Sequence, residues 1–223
     1  MSDGLNLPPP FRLVSLRESG DAFSYACANA PALGAGTLVW TRRFDLAEFA
    51  VVLEPNESLR TARRAFLLGM NALIEALAAV SPPQMPISLD WPDAIRVDGV
   101  LVGGGRLGWP DGAPEEQEPE WLVFAAMLRT ALLQAADPGL RPLSGALEEL
   151  GFTELDIGSL LESFARHLLA DFHALAEDGF EAIQQQHRMH RTDGQPGSLD
   201  LAQLQNKLIT PSWLDRATGL PWL

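Results

Sequence analysis

A chain of 223 residues with 47% hydrophobic content can bury one substantial core and is short for two. Its formal net charge of −13, from 16 basic against 29 acidic residues, removes the cationic surface that nucleic acid or an anionic membrane would need. Cys27 is the only cysteine, which excludes an internal disulfide and two-cysteine zinc motifs, and Lys207 is the only lysine.

The opening MSDGLNLPPP has no basic-then-apolar leader, and no uncharged apolar run reaches the ~20 residues of a membrane span, so a cytoplasmic protein is expected. Phe11 to Glu18 alternates as a short strand, and the next segment puts Ala22, Ala26 and Ala30 on one helical face. Gly36–Arg43 and Leu46–Pro55 are rich in β-branched and aromatic residues and read as a β-hairpin. Leu59, Ala62, Phe66, Met70, Leu73, Leu77 and Val80 recur at three- and four-residue spacing, which predicts one long helix from Ser58 to Val80, ended by Ser81-Pro82-Pro83.

PISLDW reads as a strand, and Asp98-Gly99 splits the following β-like residues into a tight hairpin. The acidic segment PDGAPEEQEPE reads as a solvated loop, and Glu120 to Arg129 as an apolar strand. A second long helix starts near Ser159 with Leu160, Leu161, Phe164, Leu168, Phe172 and Leu175 inward, and Gly179 stops it before a short helix to Met189. Thr192–Ser198 marks a boundary, so residues 1–190 read as one domain and 191–223 as a tail that packs Trp213 and Trp222 onto it. The order predicts an α+β fold with a mixed, largely antiparallel sheet and helices mainly on one face.

Within Leu89–Gly112 lie two Trp-Pro-Asp tripeptides and the run Gly103-Gly104-Gly105. Proline fixes its own φ and pushes Trp91 into an extended conformation, which makes a rigid corner. A strand without side chains lets another molecule approach its backbone. Trp91, Pro92, Asp93, Gly103, Gly104 and Gly105 together predict a ligand slot.

At these residues the sequence resembles the catalytic domain of biotin protein ligases and their lipoate-ligase relatives. In that family a long helix precedes a strand ending in Trp-Pro-Asn-Asp, then a short hairpin, a lysine and a small-Gly pair. Here the corner is Trp91-Pro92-Asp93-Ala94, the hairpin is Val97–Val100 and the small-Gly pair is Gly103-Gly104. GAGTLVW, Gly34–Trp40, takes the place of the family's Gly- and Arg-rich cofactor loop, which adds Gly34, Gly36, Thr37 and Trp40 as implied ligand contacts. The resemblance spans roughly residues 11 to 190 and looks closest to a divergent bacterial branch with this Trp-Pro-Asp and triple-glycine variant. It implies the class II synthetase-like catalytic fold, and ATP with biotin or lipoate as ligands. The residues themselves establish no cofactor and no metal.

Two departures bear on activity. The family joins a carboxylate to AMP and passes the acyl group to a carrier lysine, so positive charge at the reacting atoms is required. Counting from Trp91, the family lysine position falls on Leu101, and the GAGTLVW loop has no arginine. Arg106 is the candidate substitute and Asp93 the retained carboxylate. Arg106 lies five residues past Leu101, and an odd offset faces the other side of a regular strand unless a bulge at the glycines restores its direction. Arg42 and Arg43 read as solvated hairpin ends.

Cys27 in SYACANA reads as a small buried residue, the alternative being a thiol nucleophile with no visible base. His187 and His190, with Asp193, offer a weak metal set, but histidines at a helix C-terminus more often favour the dipole there. His167 and His173 read as helix-surface residues. Trp109 reads as core rather than a stacking platform. Three functions remain open. The first is a ligase-like domain, degenerate in catalysis, that binds a small carboxylic acid, an acyl-adenylate or a carrier domain. The second is an active ligase or acyltransferase that uses arginines in place of the lysine. The third is a non-catalytic interaction module, with sheet edges pairing in a homodimer.

Overall fold

In a computed structural model, residues 4–133, 143–192, 204, 208 and 210–222 are described. The boundary segment around Gln195, together with Asp193 and Lys207, lies outside them.

β1 (Arg12–Leu16) leads to α1 (Ala22–Leu33), capped by the Asp21 carboxylate, which accepts from the Ser24 N–H. Ala22, Ala26 and Ala30 are its buried stripe, and side chains this small let the helix lie close to a sheet. β2 (Thr37–Arg42) and β3 (Leu46–Leu53) form the expected antiparallel hairpin. β4 (Ile87–Asp90), β5 (Ala94–Val97), β6 (Val100–Gly108) and β7 (Leu122–Arg129) complete a seven-stranded sheet of order β1-β2-β3-β7-β6-β5-β4. Only the β1–β2 pairing is parallel. Asp98 and Gly99 both take positive φ in the β5–β6 turn, the conformation a two-residue hairpin needs.

The expected long helix is interrupted. It forms α2 (Leu59–Ala62) and α3 (Ala65–Ala79), with the break at Arg63 and Arg64. Arg63 is buried, grips both oxygens of Glu115 at 2.6 Å and stacks 4.6 Å over the Trp109 ring. The acidic segment is therefore docked rather than solvated. Its Glu115 and Gln117 carbonyls accept the Arg60 and Leu59 N–H groups, which a helix start leaves without intrahelical partners.

α4 (Ile157–Asp178) and α5 (Phe180–Met189) join α3 over one face of the sheet, with Gly179 at positive φ between them. The main core lies there, including Phe66, Met70, Phe124 and Phe164. α1 covers β2, β3 and β7 on the other face through a small alanine- and valine-rich cluster. Next to it, a C-terminal strap ending in β8 (Leu214–Asp215) and β9 (Leu220–Pro221) sets Trp213 against Leu46, Ala94 and Met127. Every residue of β7 is buried because both of its faces are covered: Phe124 points to the helices, Ala125 to α1 and Met127 to the strap.

Candidate functional site

The three consecutive glycines of β6 have neighbours on both sides. A Cβ on Gly105 would strike Met70 of α3, and one on Gly104 would strike the Trp213 indole and the Asp93 carbonyl. The bare backbone thus lets the helix layer and the strap close on β6 together. Trp213 is fully buried, and its Nε1 donates to the Gly105 carbonyl at 2.9 Å. Asp93, 1% exposed, accepts the Ser212 N–H at 2.8 Å and the Ser212 hydroxyl at 2.6 Å, one on each carboxylate oxygen. Trp222, expected to pack inward with Trp213, is 46% exposed.

The corner divides between the two faces. Pro92 is buried, while Trp91 packs towards the main core with its edge on the His187 ring, 5.8 Å between centroids, and the Arg191 guanidinium 5.0 Å from its own. His187, read as favouring the dipole at a helix C-terminus, is fully buried, with Nδ1 3.0 Å from Asn71 Oδ1. Burial, followed by the charges of Arg191 and His190, pushes it down to about 3, so it is neutral at physiological pH. His190 instead faces Glu75 at 3.2 Å, so the two histidines of the weak metal set have separate partners. His173 is exposed and faces Glu177.

β6 carries a bulge. Its partners on β5 run Ala94↔Gly104 and Ile95↔Gly103, then Arg96↔Leu101, which leaves Val102 extra. Leu101 packs with Met127 and Trp213, whereas Arg106 lies opposite Ala125 of β7. Met127 and Ala125 are two residues apart and share a face, so Leu101 and Arg106 share it too despite their odd separation. The bulge restores the direction of Arg106. Leu101, where the count from Trp91 expected the family lysine, is partly buried against the strap's apolar cluster.

Arg106 lines a cavity of about 920 Å3 with Phe23, Cys27, Trp109, Trp121 and, from the strap, Leu214 and Arg216. Its guanidinium lies 3.9 Å from the Phe23 ring centroid and donates one 3.3 Å bond to Asp21, whose side chain is half exposed. Burial holds its pKa below the ordinary value, with Asp21 and Glu48 opposing. Buried Glu48, raised by desolvation, accepts the Ala22 N–H at 2.7 Å at the start of α1. Burial pushes the Cys27 thiol up to about 11, which leaves almost no thiolate at neutral pH. Arg63 also borders the cavity, already engaged with Glu115. Trp109 is half-buried and lines the cavity rather than lying wholly in the core. Of these residues, Phe23, Asp21, Glu48 and Ser212 carried no sequence signal beyond their place near a helix start, within a strand or in the tail.

The GAGTLVW residues lie elsewhere. Gly34 closes α1, and Gly36 donates to Val52 and borders a mostly apolar cavity of about 570 Å3 beside α4. Thr37 bonds to Leu33 and Arg12, and Trp40 faces the main core. β2 is separated from β6 by β3 and β7, and the Gly104 row aligns with Met127, Glu48 and Thr41. Usual strand spacings put Gly36 roughly 20 Å from Gly104. Arg43 is paired with Asp45, and Arg42 lies over Trp40.

With this geometry in place, residues 7–189 match the pattern of the biotin/lipoate A/B protein ligase family. The chain belongs to that family. Among solved structures it is similar to a biotin protein ligase-like protein of unknown function from Silicibacter sp. TM1040, at 25% identity and a TM-score of 0.77, covering 89% of this chain and 90% of that one. It is also similar in fold to the Aquifex aeolicus biotin protein ligase in complex with biotin and ATP, at 15% identity, a TM-score of 0.62 and coverage of 81% and 78%. The biotin-bound ligase of Leishmania major aligns at 13% identity, a TM-score of 0.59 and coverage of 86% and 88%. No curated protein matches. Ser212 and Trp213 lie beyond the residues matched by the family pattern.

Proposed function

We propose that this chain is a binding member of the ligase family. It holds a small carboxylic acid or acyl-adenylate in the Arg106 cavity and does not perform ATP-dependent acyl activation. The observation that carries the reading is the state of the expected lysine position: Leu101 is partly buried against the apolar cluster that holds Ala94, Met127 and Trp213. Removing a charge that offsets a developing oxyanion costs on the order of a hundred-fold in rate. The Asp93 carboxylate, a candidate to act with the nucleotide, is engaged by Ser212. Arg106 supplies one largely desolvated cation, and Phe23, Trp109 and Trp121 supply apolar walls, a combination suited to a carboxylate with an apolar body.

Binding is read by thermal shift with biotin, lipoate, octanoate and AMP, on the wild type and on Arg106→Met. An acid that stabilises the wild type and not the variant is the expected result; no shift with any of them would remove the ligand half of the reading. Catalysis is read by exchange of labelled pyrophosphate into ATP with the same acids. Background exchange is expected.

A second reading has one specific observation in its favour. The bulge brings Arg106 onto the face of Leu101, where a rewired ligase would need its cation. Acid-dependent exchange that Arg106→Met abolishes would establish it in place of the first.

A further inference from the structure

The segment from Pro211 to Trp222 covers two things at once: its Trp213 sits on the Gly104 floor, and its Pro211, Leu214 and Arg216 wall the Arg106 cavity. We propose that this strap is a gate, which opens as a unit while the rest of the fold stays intact and which uncovers floor and cavity together. The proposal deepens the reading above, because the ligand admitted would be the one proposed there.

The packing divides at the right place for such a motion. Leu204 and Leu208, just before the strap, are buried in the main core and anchor its base. The strap's own apolar contacts form a separate small cluster: Trp213 with Leu46, Ala94 and Met127, edged by Leu101, Leu214 and Leu220. Opening it leaves the helix-side core and the α1 cluster untouched, and segments with few buried apolar contacts are those that open below the global unfolding free energy.

The strap also keeps its shape when detached. β8 pairs with β9, Gly219 donates to the Asp215 carbonyl, Trp222 donates to the Trp213 carbonyl, and the Asp215 carboxylate accepts from Ala217 and Thr218. Among the described residues, its polar catches to the body are Ser212 on Asp93, Trp213 Nε1 on the Gly105 carbonyl, and Arg129 on the Pro221 carbonyl. Asp93 is the strongest of these, since both of its carboxylate oxygens accept a bond from Ser212 and a buried carboxylate is costly to leave dry.

Hydrogen exchange on the full-length chain, without ligand, tests this, read beside modification of the one cysteine by a disulfide reagent (5,5′-dithiobis(2-nitrobenzoate)). Cys27 lines the cavity and is partly buried with the strap in place, so its modification rate reads how far the strap opens. The Ser212 amide and the Trp213 indole N–H, which donate to the body, are expected to exchange at least tenfold faster than the amides of Ala50 and Ala125 in the sheet. Asp93→Asn should speed strap exchange a further tenfold or more and speed Cys27 modification in step, with the sheet amides unchanged. Ser212→Ala, which removes one bond and keeps the carboxylate, should give the same pattern at a few-fold. Strap and sheet exchanging together would overturn the proposal, as would faster strap exchange that leaves Cys27 modification unaltered. A blank in pyrophosphate exchange or thermal shift bears only on the function proposed above, because neither strap measurement involves a ligand.

Discussion

The two covers on the site-bearing face of the sheet are built on different principles. α1 follows β1 directly in the chain and meets the sheet closely through a stripe of alanines, with one polar tie at its first turn, the Ala22 N–H on buried Glu48. The strap arrives from the far end of the chain, seats one large indole on one bare backbone position and is fastened by a few hydrogen bonds. The first kind of cover belongs to the fold, and the second can be removed. Arg106 sits at the seam, held by Phe23 and Asp21 at the α1 end and walled by the strap on the other side.

The largest expected effect marks what both covers rest on. Phe124, fully buried and packed against Phe66 and Phe164, should cost about 3–5 kcal/mol of global stability as Phe124→Ala, measured by urea unfolding. Trp213→Ala removes a larger side chain, yet its loss should stay below about 2 kcal/mol in the same experiment, because the strap alone gives way. Equal losses would erase the distinction. Gly104→Ala sharpens it from the sheet side: the added methyl meets the Asp93 carbonyl and the indole, at an expected cost of about 1–3 kcal/mol, most of which Trp213→Ala should not relieve because the carbonyl is backbone.

How much of this was legible follows from where the information sits. Period-two and period-3.6 patterns reported every large element, because one face of each strand or helix meets a core whatever the partner is, and Asp98-Gly99 announced its turn through φ alone. The break at Arg63 was not legible, since the Glu115 and Trp109 that hold its guanidinium lie some fifty residues on. The triple glycine was read as the floor of a slot for another molecule; the groups that approach Gly105 and Gly104 in the fold are the chain's own Met70 and Trp213, which only tertiary structure could supply. Gly34 and Gly36 fit the order of the family loop, but order along the chain says nothing of which strands intervene. The bulge that turns Arg106 was foreseeable only as one of two outcomes, because glycine permits a bulge without requiring it.

The smallest effect concerns the helix-side face. Burial raises Asp171 to about 7, and His187 is lowered to about 3. Asp171 holds a proton in the fold between about pH 4 and 7 that the unfolded chain has released, so stability falls as pH rises through that window. His187 runs the other way: its contribution is complete above about 6.5 and is lost as pH falls towards 3. The two slopes offset each other in the wild type. Asp171→Asn should expose the rising histidine slope between pH 4 and 6.5 and gain about 1–2 kcal/mol at pH 8, as read by thermal melts across pH; a flat profile in the variant would contradict both assignments.

The central claim is that the family's reacting position has been given over to packing, so that absence of charge, rather than blockage by the strap, keeps acids from being activated. Exchange of labelled pyrophosphate into ATP, with biotin, lipoate and octanoate, should be compared in the wild type and in Trp213→Ala. Background exchange in both is the prediction. Acid-dependent exchange in the wild type, or its appearance once the indole is removed, would contradict it.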